Sequence, residues 1–273
     1  IDIIRDQWGV PHIHAPTDAQ VSYGLAWAHA EDDFETIQFV LLAAKSMLGL
    51  HLGKEGALLD YVVHLLRAKD IVEKNLHKVS PKFLKLVKGY LAGMNSYAAE
   101  HPKEVFVKKA FPITVQDVFQ AYVLQIAIID GADGVIANLF NGNIDYSAPV
   151  GIGSNALVFN RNKTNSDHVM LAVNSHQPLE GPASWYEAHL VSDEGWNMMG
   201  GLFPGGPVVF HGTNEHLGWA HTVNHPDKID LFRLEIDVDN ENRYRIDDQW
   251  YELEEIRVPL YLKTIFGLKI RIK

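Results

Sequence analysis

Gly151-Ile152-Gly153-Ser154-Asn155-Ala156-Leu157-Val158-Phe159 marks the change of texture that decides how this chain is read. Downstream of it, short apolar runs of strand type follow one another at 156–159, 169–173, 186–191, 208–210 and 231–236, with turn residues between them. Upstream, helical spacing dominates. An extended stretch at 3–14 holds the loop-like Trp8-Gly9-Val10-Pro11, and a turn falls at Pro16. Thr17 with Gln20 three residues on resembles a capping box, and 19–48 then carries apolar residues at helical intervals. Further helices are predicted over 58–76, over 81–99, opened by Ser80-Pro81 and closed before Pro102, and over 114–129. The stretch 131–153, with Gly131, Gly134, Gly142, Pro149, Gly151 and Gly153, reads as a linker. Helices first and strands later define an α+β chain, either two independent domains or one with layered helices and sheets. Residues 1–153 form the helical segment with its linker, and 154–273 the strand-rich segment.

With 273 residues and 47% hydrophobic content, spread along the whole length, the chain can bury a substantial core. No run approaches the roughly 18 consecutive apolar residues of a membrane-spanning helix. The opening Ile1-Asp2-Ile3-Ile4-Arg5 lacks the apolar segment of a signal peptide, so any export signal was removed or never present. A formal charge of −10 without a basic block disfavours nucleic acids and anionic membranes as partners. Zero cysteines excludes disulfides, a cysteine nucleophile and thiolate metal sites.

Ser154 is the candidate nucleophile. A serine hydroxyl needs a base within hydrogen-bonding reach, and an N-terminal serine carries its own. If the bond between Gly153 and Ser154 breaks, the freed α-amine, with a reference pKa of about 7.7–8.0, has a neutral fraction able to take the hydroxyl proton. Glycine before the serine permits the backbone geometry in which the hydroxyl reaches the preceding carbonyl. Alone, Gly-Ser-Asn reads as an ordinary turn.

The blocks around it are more specific. Ile4-Arg5-Asp6-Gln7-Trp8-Gly9-Val10-Pro11-His12-Ile13, Tyr23-Gly24-Leu25-Ala26-Trp27-Ala28-His29-Ala30-Glu31-Asp32, Gly153-Ser154-Asn155-Ala156, Asn174-Ser175-His176-Gln177-Pro178, Trp185-Tyr186-Glu187-Ala188-His189-Leu190, Phe203-Pro204-Gly205 and Gly218-Trp219-Ala220-His221-Thr222-Val223-Asn224 occur in that order. Together they resemble the penicillin acylase family of N-terminal-nucleophile hydrolases, especially its acyl-homoserine-lactone and lipopeptide acylases. The resemblance implies an αββα sandwich, autocatalytic cleavage between Gly153 and Ser154, and hydrolysis of an N-acyl amide through an acyl-enzyme. The substrate would be an acyl-homoserine lactone, an acylated lipopeptide or a β-lactam side-chain amide. It implies Ser154 as nucleophile, His176 beside the nucleophile's amine, and the Val223 N–H in the oxyanion hole, with Asn224 next to it. The family's second oxyanion donor, an asparagine side chain, falls beyond Lys273. The chain is therefore read as truncated, its partner the remainder of the β-chain, and little turnover is expected of it alone. Gln177 stands where well-known members carry an aromatic residue lining the acyl pocket, so acyl preference does not carry over. The implied location is the periplasm or outside the cell.

No cofactor is required by this chemistry. Asp227 and Asp230 match two carboxylates that bind structural calcium in some members, with Asp130, Asp133 or Asp145 to complete the set. Calcium takes six to eight oxygens, and two solvated aspartates are the equal alternative. His211, His216, His221 and His225 form a ladder whose spacing suits neither a helix nor one strand face, against a zinc site and a metal-dependent hydrolase. His12 and His14 share a face in an extended segment, an arrangement typical of packing. Trp185, Trp196 and Trp219 are expected in strands and in the core. Residues 123–140 are expected to be mostly core, with acyl-pocket lining implied by the resemblance. The competing reading is a non-catalytic relative that keeps the fold as a binding or structural module.

Overall fold

The computed structural model describes residues 1–142, 153–224, 229–263 and 269–272. The chain opens with a hairpin, β1 (Asp2–Arg5) and β2 (Pro11–Ala15). Its turn is pinned by the Asp6 carboxylate, which accepts from the amides of Trp8 (2.9 Å) and Val10 (3.0 Å), and Gly9 supplies the left-handed residue, φ 87°.

The helix α1 (Asp18–Ala44) follows. Thr17 caps it by accepting from the Gln20 amide, but the Gln20 side chain receives the Thr17 hydroxyl instead of returning to the Thr17 amide, so the predicted box is only half made. A kink at Asp33 bends α1. The stretch read as one helix at 58–76 begins earlier and is broken: α2 (Gly49–Leu52), α3 (Lys54–Leu65) and α4 (Ala68–Asn75) meet at short joints, with Arg67 in the left-handed region at φ 51°. Asp60 of α3 accepts the amides of Leu48 and Gly49, both at 2.9 Å, and so satisfies the free N–H groups at the start of α2. The helix α5 (Pro81–Glu100) starts as expected, with Ser80 accepting from Phe83 and proline in the first turn. It packs along α1, where Gly89 and Gly93 let the backbones touch. A methyl on either would run into the carbonyl of Ala19 or Tyr23. Thr114 and Asp117 form a complete capping box on α6 (Val115–Ile129), and Lys45 reaches the same Asp117 carboxylate at 2.6 Å.

The stretch 131–153 is not wholly a linker. Gly131, at φ 86°, ends α6, and a further helix, α7 (Ala132–Phe140), runs on at 73° to it. Nor is 123–140 mostly core, because Ile126, Ile128, Leu139 and Phe140 are exposed and α7 has no buried residue.

The strands β3 (Ser154–Phe159) and β4 (Met170–Ser175) form an antiparallel ribbon. Then come β5 (Tyr186–Ser192), β6 (Asn197–Leu202), β7 (His211–Thr213) and β8 (Gly218–Trp219). The predicted strand at 208–210 is irregular chain leading into β7, and 231–236 contributes only β9 (Glu235–Ile236). That strand joins β10 (Arg243–Ile246) and β11 (Gln249–Glu252), and β12 (Leu260–Lys263) pairs with β13 (Lys269–Ile272). Trp219 alone of the three expected tryptophans lies in a strand; Trp185 and Trp196 immediately precede strands.

The principal sheet has the order β1-β2-β5-β6-β7-β8, with β2 and β5 parallel and the other neighbours antiparallel. Period-two alternation sends Ile13, Ala15, Ala188 and Leu190 to one face, where they bury against Val21, Leu25, Val87 and Met94 of α1 and α5. The segments before and after Ser154 therefore share one sheet and one core. The opposite face carries His12 and His14, as their alternation predicts, and His12 Nδ1 lies 2.9 Å from His189 Nδ1. The described architecture is a mixed helix and sheet layering.

Candidate active site

Ser154 is half-buried at the first position of β3, and its Oγ donates to the carbonyl of Gly153 at 2.8 Å. The hydroxyl thus lies beside the carbonyl that an attack would target. Ser154 is registered directly opposite Ser175, and Asn155 opposite Asn174. Opposed residues share a face, so the two serines occupy one side of the ribbon and the two asparagines the other.

His176 joins the asparagine side. Its Nε2 lies 3.1 Å from Asn155 Nδ2 and 3.3 Å from Asn174 Nδ2. Both amides donate in this arrangement, which assigns the proton of a neutral ring to Nδ1. That nitrogen lies beside Gly153, 3.6 Å from where a β-carbon on the glycine would sit. His176 and the cleavage point are brought together, while no hydrogen bond joins His176 to the Ser154 hydroxyl among the described residues.

On the serine side stands a different histidine. Ser175 Oγ lies 3.3 Å from His211 Nε2, and the His221 amide donates to His211 Nδ1 at 2.9 Å. His211 is buried beside Trp185, Phe210 and His221, and its pKa is lowered first by burial and then by repulsion from His221. Val223 and Asn224 lie two and three residues beyond His221 in irregular chain; neither is hydrogen-bonded to Ser154 among the described residues. His211 entered the sequence reading only as a rung of the zinc ladder. Its ties to Ser175 and His221 depend on how two sheets approach, which no local pattern encodes.

The other candidates are dispersed. His216 is exposed and pairs with Glu215, and His225 and Asp227 lie outside the described residues, as does Asp145. Asp230 and Asp133 are exposed, and Asp130 is half-buried. Among the described residues no group of three His, Asp or Glu side chains could hold a metal ion. Only Asp230 of the expected calcium pair is described, so no step is derived through calcium.

Three stretches of the sequence, 4–13, 23–32 and 185–190, meet in a charged cluster that no local pattern announces. Arg5 donates to Asp32 at 2.7 Å and to Glu31 at 3.3 Å, and the Tyr186 hydroxyl donates to Asp32 at 2.6 Å. His29 is fully buried, its ring stacked on Tyr186 at 3.8 Å, and burial lowers its pKa to about 3 despite the attraction of Asp32. This cluster fixes β1 and β5 to α1.

Residues 1–265 match the family model described as Penicillin amidase, and the chain belongs to that family. It is 25% identical, over 97% of its length, to the acyl-homoserine lactone acylase PvdQ of Pseudomonas fluorescens (strain Pf0-1), and 24% identical over 96% to the PvdQ of Pseudomonas putida. A penicillin acylase 2 proenzyme of Pseudomonas sp. (strain SE83) is 26% identical over 36% of the chain and 13% of its own length. The chain spans 38% of the length of each of those two PvdQ relatives. No single helix among the described residues is long and apolar enough to cross a membrane.

Proposed function

We propose that this chain belongs to an amide-bond acylase that cuts itself between Gly153 and Ser154 and then works through an acyl-enzyme on Ser154. The observation that carries the reading is the Ser154 hydroxyl donating to the Gly153 carbonyl at the head of β3, within the span matched to the family. In the precursor, Oγ attacks the Gly153 carbonyl carbon, the C–N bond breaks, and water hydrolyses the resulting ester. The freed amine of Ser154 then takes the hydroxyl proton as Oγ attacks the substrate amide. The Val223 N–H, with Asn224 next to it, polarises the carbonyl; the C–N bond breaks as the Ser154 ammonium returns the proton to the departing amine, and water then hydrolyses the ester, releasing the acid and restoring the Ser154 hydroxyl. With Nε2 occupied by two amides, His176 presents an N–H toward the cleavage point, which favours a positioning part for it and leaves the base role to the amine.

The relatives' names favour an N-acylated small molecule, with an acyl-homoserine lactone as first substrate to try. The remainder of the β-chain as partner, an αββα sandwich around the present sheet, and a periplasmic or extracellular location belong to the same proposal. The deciding experiment is mass spectrometry of the full-length gene product beside its Ser154→Ala variant. Cleavage before residue 154 is expected in the first and absent in the second; an intact wild-type chain would sink the reading.

A further inference from the structure

We propose that His211 is a positioning residue that holds the strand pair carrying Ser154 and the loop carrying Val223 at a fixed separation; the proposal rests on the acylase reading above. A backbone N–H can only donate, so the 2.9 Å contact from His221 makes His211 Nδ1 the acceptor. The proton of the neutral ring then sits on Nε2, the atom 3.3 Å from Ser175 Oγ, and the ring donates to that hydroxyl. Burial among Trp185, Phe210 and His221 disfavours the imidazolium, which would lose its acceptor at Nδ1.

One ring therefore has two dissimilar ends. Through Ser175 it engages the residue directly opposite Ser154 on the ribbon. Through the His221 amide it fixes the chain two residues before Val223. Its own backbone is held by β7, registered to Gly201 on β6, where Gly200 allows the strands to close up; a side chain there would strike the His211 carbonyl. The ribbon and the principal sheet are separate sheets. A side chain that bonds to both the ribbon and the chain after β8 governs how accurately hydroxyl and oxyanion donor face a common carbonyl. His211 touches none of the reacting atoms. Its effect is alignment, where displacement by about 1 Å costs on the order of 100-fold in rate.

The test uses the full-length gene product and three variants. His211→Asn keeps an acceptor near Nδ1 and deletes the donor to Ser175; His211→Gln keeps a donor near Nε2 and deletes the acceptor; His211→Phe deletes both while keeping a ring. Expected are slower self-cleavage and kcat on an N-acyl-homoserine lactone lowered about 10- to 100-fold in His211→Phe, with KM changed less than about 3-fold and smaller losses in the other two. Hydrogen exchange of the peptide covering 214–224 reads the same tie without activity: the His221 amide should exchange faster in His211→Gln and His211→Phe and as in wild type in His211→Asn. Wild-type kcat in His211→Phe, or unchanged exchange in His211→Gln, overturns the proposal. If His211→Phe does not fold, the two single-link variants decide. An uncut wild-type chain defeats the acylase reading alone, since the exchange pattern still reports on His211.

Discussion

Ser154 and His29 show how far apart two kinds of residue lie in legibility. Ser154 was visible because a glycine, a hydroxyl and a strand start are adjacent in sequence, and its bond to Gly153 is a contact between neighbours. His29 looked like any helix histidine until Tyr186, distant in sequence, covered it. Its folded pKa of about 3 lies below the ordinary 6.5, so the folded state favours the neutral ring. The stability this gives is fully present above pH 6.5 and is lost as pH falls from there toward about 3. Urea titrations at pH 7, 5.5 and 4 should therefore show a decline that His29→Phe reduces; an equal decline in both proteins would remove His29 as a cause. Gly93 makes a second case. Gly93→Ala places a methyl against the Tyr23 carbonyl of α1, which cannot rotate away, and is expected to cost about 1–3 kcal/mol in the same titration.

At the scale of elements, the helices that the sequence foretold were those with chemistry at their ends. Ser80-Pro81 marks the start of α5 in the sequence, and the helix expected over 114–129 begins at Val115, where the structure adds the capping box of Thr114 and Asp117. The break at Arg67 is hidden because a single left-handed residue leaves the apolar spacing of the sequence unchanged, and α7 is hidden because Gly131, Gly134 and Gly142 give its stretch the texture of a linker. The joint between α1 and α6 depends on Lys45 and Asp117, whose side chains are 15% and 10% exposed. Asp117→Ala removes a cap and leaves a largely buried ammonium unpaired, with an expected loss of about 3–5 kcal/mol. Loss below about 1 kcal/mol would mean that Lys45 finds another partner at little cost. Asp60 behaves oppositely to His29. Burial raises its pKa to about 6, against two amide donors that pull it down. Its contribution is fully present below pH 3.8 and is lost as pH rises through about 6, at up to about 1.4 kcal/mol per pH unit. Asp60→Asn should flatten that window while weakening the protein at pH 8, where one of the two amides loses its acceptor.

For the whole molecule, the sequence conveyed mixed helix and sheet but not their interleaving. Strands β1 and β2 precede the helices in sequence as an isolated extended stretch, yet they form one edge of the sheet that β5–β8 complete. Parallel pairing of β2 with β5 is non-local, and only the apolar face of each strand was available to suggest it. Calcium is tested at this scale too: if Asp227 and Asp230 hold the ion in the complete protein, EGTA should lower its melting temperature and added calcium restore it. An unchanged melting curve would leave the two aspartates as solvated side chains.

The pairing of His12 with His189 across 177 positions has a consequence for the order of events in the cell. While the chain is continuous, these strands search for each other on a tether, and closing that long loop carries a bounded entropic cost. If the proposed cut separates residue 153 from 154, the same search becomes an encounter between two separate molecules and depends on their concentration. Self-cutting would therefore act as a ratchet, with assembly completed first and the tether then discarded. Denatured and diluted, the cut protein should regain its structure poorly, while the uncut Ser154→Ala precursor recovers under the same dilution. Equal recovery of both would show that the two pieces hold no memory of having been one chain.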